Sequence, residues 1–253
     1  MTKFPILLAA KTAYRDLLHV VLAMPILIGG ALVIIVALGL LESFIAVRGE
    51  ESSMLGKTIE FIFSVAQNFF LTPIMIAGHR FIILGEVTSA YRLDPRHPTF
   101  RAFFAWLLAL LISNFLLTFL FDLAPPDYLT FVLFAVLIVL GLIALLSVVI
   151  RLVILLPAIA VEAPAATAAH AWADSAGHLW RIFLIFLVAT LPVAVVAMIL
   201  VFAIAYLDSA SLLVLAILIG AVLQVIGLVL YVAIASRLFE AMAHRLIEKT
   251  SGP

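Results

Sequence analysis

Hydrophobic and polar residues along this chain form long apolar blocks separated by short polar segments. Six of these blocks have about 20 residues or more, the length that an α-helix needs to cross the hydrocarbon core of a bilayer. Most blocks are apolar on every helical face, as in helices that contact lipid, and the two-residue alternation of a transmembrane β-barrel is not visible. The pattern predicts an all-α polytopic membrane protein with six transmembrane helices.

The predicted spans and the segments between them make up a single membrane domain, residues 1–253. The six spans cover residues 17–41, 61–84, 102–121, 129–150, 182–207 and 212–236. Lys11, Arg15 and Asp16 interrupt the apolar run that a cleavable signal peptide needs, so residues 1–16 are predicted to form an interfacial segment. Residues 237–253 are predicted to form a cytoplasmic tail.

The segment 151–181 is the least hydrophobic long stretch after the first hundred residues. It predicts a helix leaving the bilayer, a turn at Pro157, a short amphipathic helix on the cytoplasmic surface, and a basic entry to the next span at Arg181. Trp172 and Trp180 fall beside these features, and tryptophan is enriched at the level of the lipid headgroups. We therefore expect both indole rings to contact headgroups.

The composition excludes several classes of protein. Hydrophobic residues make up 67% of the chain and charged residues 11%, whereas a soluble domain is roughly half apolar and a quarter charged. The formal net charge is zero, so the sequence lacks the basic excess of a nucleic-acid-binding protein. Because the chain has no cysteine, disulfides, thiolate metal sites and cysteine nucleophiles are excluded.

Lysine and arginine are distributed unevenly between the two sides of the predicted bundle. Twelve of the 14 lie in the N-terminal segment, the second and fourth connections and the tail, and the other two are Arg48 and Lys57 in the first connection. Basic residues are concentrated in cytoplasmic loops of membrane proteins. The bias predicts a multi-pass protein of the bacterial cytoplasmic (inner) membrane with both termini in the cytoplasm.

Several short motifs resemble the membrane region of the glycerophosphoryl diester phosphodiesterase membrane-domain family and of related uncharacterised inner-membrane proteins, many from alphaproteobacteria. The motifs are LLPAIAV at 155–161, Ala171-Trp172, GHLWR at 177–181, and His79-Arg80 followed by Leu84-Gly85-Glu86. The resemblance implies a six-helix inner-membrane domain. In that family a separate soluble barrel performs hydrolysis, and such a barrel needs about 250 residues of its own. The resemblance therefore implies a membrane region standing alone, with no catalytic residues to assign here.

The histidines allow two site hypotheses, each with a simpler alternative. His170, Asp174 and His178 are four residues apart and share one helical stripe that can present metal ligands. One straight helix rarely places three ligands around one ion, however, so the stripe is interpreted as the solvated face of an interfacial helix and no metal is predicted. His19 and His79 near the ends of the first two spans can ligate haem if they face each other. Interfacial hydrogen bonding is the commoner role, and no cofactor is predicted.

Three arginines at the predicted cytoplasmic ends of spans are candidate contacts for lipid phosphates: Arg80, Arg151 and Arg181. Long basic side chains at this depth reach the headgroups or pair with a carboxylate. Glu86 is the predicted partner of Arg80. The predicted partner of Arg151 is either Glu162 or a lipid headgroup. The favoured functional hypothesis is a phosphate clamp formed by the three arginines, and the alternative is that they only set topology and form structural ion pairs.

Polar residues within the spans are few, and the amide side chains among them are Gln67, Asn68, Asn114 and Gln224. Such groups usually form hydrogen bonds between helices. If they converged on one cavity, they would instead support a transporter or channel for a lipid-like or amphipathic solute.

No nucleophile elbow, zinc-protease motif, phosphate-binding loop or dinucleotide fingerprint is present, so the chain is not predicted to be an enzyme. We expect a non-enzymatic accessory or organising subunit that contacts membrane lipids, other integral membrane proteins, or both.

Overall fold

The computed structural model describes residues 5–46, 54–122, 128–207 and 213–247. Within these ranges the helices are α1 Ile6–Ala23, α2 Pro25–Ala46, α3 Met54–Leu84, α4 Pro98–Asp122, α5 Tyr128–Leu152, α6 Leu155–Ala160, α7 Ala168–Asp174, α8 Leu179–Leu207, α9 Leu213–Met242 and α10 His244–Ile247. The described residues contain no strand. Six segments, built on α2, α3, α4, α5, α8 and α9, are long and apolar enough to cross a membrane. The all-α fold with six such helices is confirmed.

The first spanning helix begins later than predicted. The sequence predicted a span over 17–41, but α1 ends at Ala23, and α2 begins at Pro25. Proline has no backbone N–H and disfavours helical geometry in the residue before it, and Met24 accordingly has φ −129° and ψ 53°. The N-terminal helix that precedes the first spanning segment therefore extends beyond the predicted residues 1–16, and the helix long and apolar enough to span is α2.

Helix α1 packs one face against α8 and α9. Ala9, Ala13, Asp16 and Val20 are buried on it, and their spacing of four, three and four residues places them on one helical face. The hydroxyl of Tyr14 donates a hydrogen bond to the carbonyl of Ala189 in α8 at 2.7 Å. Burial raises the pKa of Tyr14, so this donor stays protonated well into the alkaline range.

Helix α9 lies at the centre of the bundle and contacts α1, α2, α3, α6 and α8. It packs tightly against α3 at Gly78, where an added Cβ would lie 2.9 Å from Cγ1 of Val232. One residue further along α3, Nδ1 of His79 is 2.8 Å from Oγ of Ser236. A small residue and a polar pair at the contact are typical of helix association in membranes.

The segment after α5 turns earlier than predicted and is buried. The sequence placed a turn at Pro157, but α5 ends at Leu152, the turn is at residues 153 and 154, and Pro157 lies inside α6. A proline cannot bond to the carbonyl four residues before it and crowds that carbonyl, so Pro157 breaks the helix at Val153. Residues 153–160 are all buried, and α6 contacts α3, α4 and α9. The surface helix predicted for this segment is α7, which contacts α5 and α10.

Other predicted boundaries differ by a few residues. Helix α3 begins at Met54 and includes polar residues assigned to the first connection, and α9 continues to Met242, six residues into the predicted tail. Helix α4 contacts α5, and α8 contacts α9, as the short connections between them predict. Residues 248–253 of the tail lie outside the described residues.

Candidate functional site

Arg80, the first arginine of the predicted phosphate clamp, is held by protein groups. Its Nε and Nη2 donate to the two carboxylate oxygens of Glu86 at 2.7 and 3.1 Å, so the predicted partner is confirmed. Its Nη1 donates to the carbonyl of Ala160 at 3.1 Å. A two-pronged arginine–carboxylate pair of this kind is among the stronger hydrogen-bonded contacts in proteins. Arg80 therefore ties the end of α3 to the end of α6.

Arg151, at the end of α5, stacks on a tryptophan. Its guanidinium carbon lies 4.4 Å from the centre of the Trp172 ring, a cation–π contact that joins α5 to α7. Glu162, its predicted partner, instead accepts a hydrogen bond from Thr99 at 3.0 Å and lies 3.7 Å from Nη1 of Arg80. The other predicted headgroup contact, Trp180, is 67% exposed, and a ring at that position is free to contact lipid.

Arg181 lies in a third environment, a pocket of about 660 Å³ that also contains Arg15 and Arg237. We call it the basic pocket. Its walls come from α1, the end of α7, the start of α8, and α9 and α10. Because Arg80 and Arg151 do not line this pocket, the three predicted arginines do not form one clamp. Arg181 shares this pocket with a different arginine, Arg15.

One wall of the basic pocket is fixed by a buried ion pair. Arg237 donates from Nε and Nη2 to the carboxylate of Asp16 at 2.6 and 2.9 Å, and from Nη1 to Glu240 at 2.7 Å. Asp16 is only 4% exposed. Since the donors of Arg237 are used by these two carboxylates, its charge is neutralised inside the protein. The pair positions α1 against α9.

Another wall is fixed by Asp174 at the end of α7. Its carboxylate accepts hydrogen bonds from the backbone N–H groups of Arg245 and Leu246, the shortest at 2.9 Å. These groups belong to α10, which has too few turns to satisfy them itself. Asp174 thus has a structural role, and it holds α10 beside α7.

The remaining cations of the basic pocket are without protein partners. In the part of the chain that the structure describes, the side chains of Arg15 and Arg181 make no hydrogen bond or ion pair with another residue. His178 and His244 lie on the same walls. Two guanidinium groups that face one pocket, with the nearby carboxylates already engaged, form a site suited to an anion.

The histidine stripe does not gather around one point. Nδ1 of His170 donates to the carbonyl of Ala165 at 3.0 Å, Asp174 binds backbone amides, and His178 faces the basic pocket. Within the described ranges, no group of three or more potential ligands is placed to hold a metal ion. Of the pair considered for haem, His79 is buried against Phe103, and His19 is exposed.

Comparison with known proteins finds no relative of this chain. No protein-family model, curated protein or solved structure matches this chain. The resemblance to the membrane region of the phosphodiesterase family therefore stays a prediction. What the basic pocket does has to be argued from its own residues.

The four amides considered for a transport path are dispersed. Asn114 and Gln224 are exposed on the outer faces of α4 and α9, and the amide of Asn68 donates to the carbonyl of Ser64 in its own helix at 2.9 Å. None of the four amides lines the basic pocket or a second pocket, of about 400 Å³, which is lined in part by Arg80. Their arrangement does not provide the shared cavity that the transport hypothesis requires.

The sequence interpretation missed the roles of Arg15, Asp16, Arg237 and Glu240. One signal was available: Asp16 falls on the apolar face of its helix, in phase with Ala13 and Val20. A carboxylate at a buried position requires a cationic partner. That rule predicts a partner for Asp16, but it does not select Arg237, which is 221 residues away.

Proposed function

We propose that this chain is a non-enzymatic integral membrane protein whose basic pocket binds the phosphate of an anionic phospholipid headgroup. One observation carries the proposal: Arg15 and Arg181 line the same pocket, and neither has a protein partner among the described residues. Arginine presents several N–H donors in a planar fork that matches phosphate oxygens. A lipid phosphate would satisfy both side chains.

The depth of the pocket favours a lipid over a soluble anion. Arg181 is the third residue of the spanning segment Leu179–Ala203, so it lies where a transmembrane helix meets the headgroups. Below it, the buried side chains of Ile182 and Ile185 line the pocket. A ligand with a charged head and an apolar body matches this order of polar and apolar walls.

The wider role that we propose is that of an accessory or organising subunit of the bacterial cytoplasmic membrane. Large apolar side chains are exposed along α5 and α8, among them Leu137, Leu140 and Phe202, and such faces suit contact with lipid tails or with other membrane helices. The bias of basic residues in the sequence supports a position of the pocket on the cytoplasmic side, where anionic lipids create a negative surface potential.

The double variant Arg15→Gln/Arg181→Gln tests this proposal. Each basic residue near a membrane surface contributes about 1 kcal/mol to the attraction of anionic lipid, so we expect affinity for phosphatidylglycerol to fall about 30-fold. Native mass spectrometry of the protein in mild detergent, titrated with phosphatidylglycerol or phosphatidylcholine, measures this loss. Binding of phosphatidylcholine should change little.

The matched control is Lys11→Gln/Arg101→Gln. Lys11 is one helical turn from Arg15, and Arg101 lies in the first turn of α4, as Arg181 does in α8, but neither lines the pocket. The control removes the same charge and should retain binding. Equal losses in the two double variants would mean that binding reflects net charge alone, and the proposed site would be rejected. Unchanged thermal unfolding would exclude misfolding as the cause.

A further inference from the structure

A second pocket, of about 400 Å³, lies between the last turns of α3, the loop that follows it, the start of α4 and Glu162, the second residue after α6. We call it the mixed-charge pocket. It shares no lining residue with the basic pocket. The His79–Ser236 contact lies between them, because the next residues, Arg80 and Arg237, line the mixed-charge and the basic pocket respectively. Both pockets are therefore at the same end of the bundle.

The mixed-charge pocket offers both signs of charge to a ligand. Arg80 is already engaged by Glu86 and Ala160. Among the described residues, the side chains of Arg92 and His97 make no hydrogen bond or ion pair, and both line the pocket. Two carboxylates also line it. Asp94 accepts a hydrogen bond from the backbone N–H of Arg96, whereas Glu162 has a side chain that is 56% exposed, and its Oε1 accepts from Thr99 and lies 3.7 Å from Nη1 of Arg80. The second oxygen of Glu162, Oε2, accepts no hydrogen bond from the described residues and can accept one from a ligand.

The backbone conformation at Glu162 is one that favours glycine, so the presence of a glutamate there indicates a role for its side chain. The N–H of Ala163 bonds to the carbonyl of Ala158 and the N–H of Glu162 to that of Ile159, the two bonds of a Schellman helix end. Glu162 occupies the left-handed position of this motif, with φ +54°, where glycine is usual. No other described non-glycine residue has positive φ. A strained residue that persists at a pocket points to a functional side chain.

We propose that the mixed-charge pocket binds a phosphorylated primary amine, the chemistry of an ethanolamine phospholipid headgroup. Glu162 accepts hydrogen bonds from the ammonium, and Arg92 donates to the phosphate. A volume of about 400 Å³ lies in the usual range for small-molecule sites. The pocket discriminates between amines because a quaternary ammonium has no N–H to donate to Glu162.

The test compares phosphatidylethanolamine with phosphatidylcholine as minor components of nanodiscs that contain the full chain. We expect the wild type to retain the ethanolamine lipid about tenfold better in native mass spectrometry, the size expected for one charge-assisted hydrogen bond. Glu162→Gln keeps the acceptor for Thr99 and should abolish the preference. Arg92→Gln should weaken retention of both lipids. The controls Glu60→Gln and Arg96→Gln alter exposed residues that do not line the pocket, and should change neither.

Two further arms decide the source of the ligand and exclude misfolding. In the first, free phosphoethanolamine or phosphocholine is added to the lipid-bound protein. If phosphoethanolamine displaces the lipid and phosphocholine does not, the free headgroup is sufficient for binding. If neither displaces it and the lipid preference is intact, the ligand is the whole lipid. Glu162→Gly relieves the backbone strain while removing the carboxylate, so it should fold at least as well and lose the preference. Equal retention of the two lipids by the wild type, or a preference that persists in Glu162→Gln and Glu162→Gly, would overturn the proposal.

Discussion

Replacing Arg237 with methionine should destabilise the folded protein by about 3 kcal/mol, because the substitution leaves Asp16 buried without its cation. Asp16 is nearly inaccessible to solvent and receives two hydrogen bonds from Arg237. Removing the charge of the other partner with Asp16→Asn should lower the free energy of unfolding less, since Arg237 keeps its ion pair with Glu240 and is partly exposed. The free energy of unfolding, measured for the purified protein in detergent, distinguishes the two variants.

The double variant Asp16→Asn/Arg237→Met provides the internal control. With the buried charge removed, it should be more stable than Arg237→Met alone, as expected for two residues that interact directly. Arg101→Met, which removes an exposed arginine from α4, should have little effect. If the double variant were as unstable as the sum of the single variants, the Asp16–Arg237 pair would not connect α1 to α9 as described.

Ile154→Ala should destabilise the protein by about 3 kcal/mol, as is usual for an isoleucine truncated in a packed interior. Ile154 is 0% exposed and lies at the turn between α5 and α6, whose residues pack in the centre of the bundle. The comparison is Leu133→Ala on α5, where the side chain is 61% exposed. Thermal unfolding of the two variants in the same detergent tests the difference.

The comparison of Ile154→Ala with Leu133→Ala shows whether residues 153–160 lie in the packed interior or at the membrane surface. If the chain instead left the bilayer and turned at Pro157, as the sequence suggested, so that this segment lay at the membrane surface, Ile154→Ala and Leu133→Ala would both have small effects. A large effect of Ile154→Ala alone supports the buried position. Equal midpoints of unfolding would contradict the packing of α6 against α3, α4 and α9.

The sequence predicted the helices well because span length and apolar composition depend only on neighbouring residues. The same reasoning could not predict which helices meet. Helices that are apolar on every face carry no pattern that selects a partner, so the central position of α9 is not visible in its sequence. Proline positions were visible, but their effects were not predicted correctly: the predicted span 17–41 ran through Pro25, where α2 begins, and the turn predicted at Pro157 lies at residues 153 and 154.

The candidate sites show the same difference: contacts between residues close in the sequence were predicted, and contacts between distant residues were not. The Arg80–Glu86 pair joins residues six apart, and their proximity was predicted from the sequence. The basic pocket depends on Arg15 and Arg181, which are far apart in the chain and come together only through the packing of α1 against α8. Arg181 was identified as a candidate because it begins a span. Arg15 was treated as part of the N-terminal segment, since its location beside Arg181 is a property of the tertiary fold.

The most direct test of the account is a density map of the protein in nanodiscs that contain phosphatidylglycerol. We predict density for a phosphate in the basic pocket, with oxygen atoms about 2.8 Å from the guanidinium nitrogens of Arg15 and Arg181. A well-resolved map in which both side chains are ordered and no phosphate lies between them, with the lipid instead at the Arg151–Trp172 stack or absent, would contradict it.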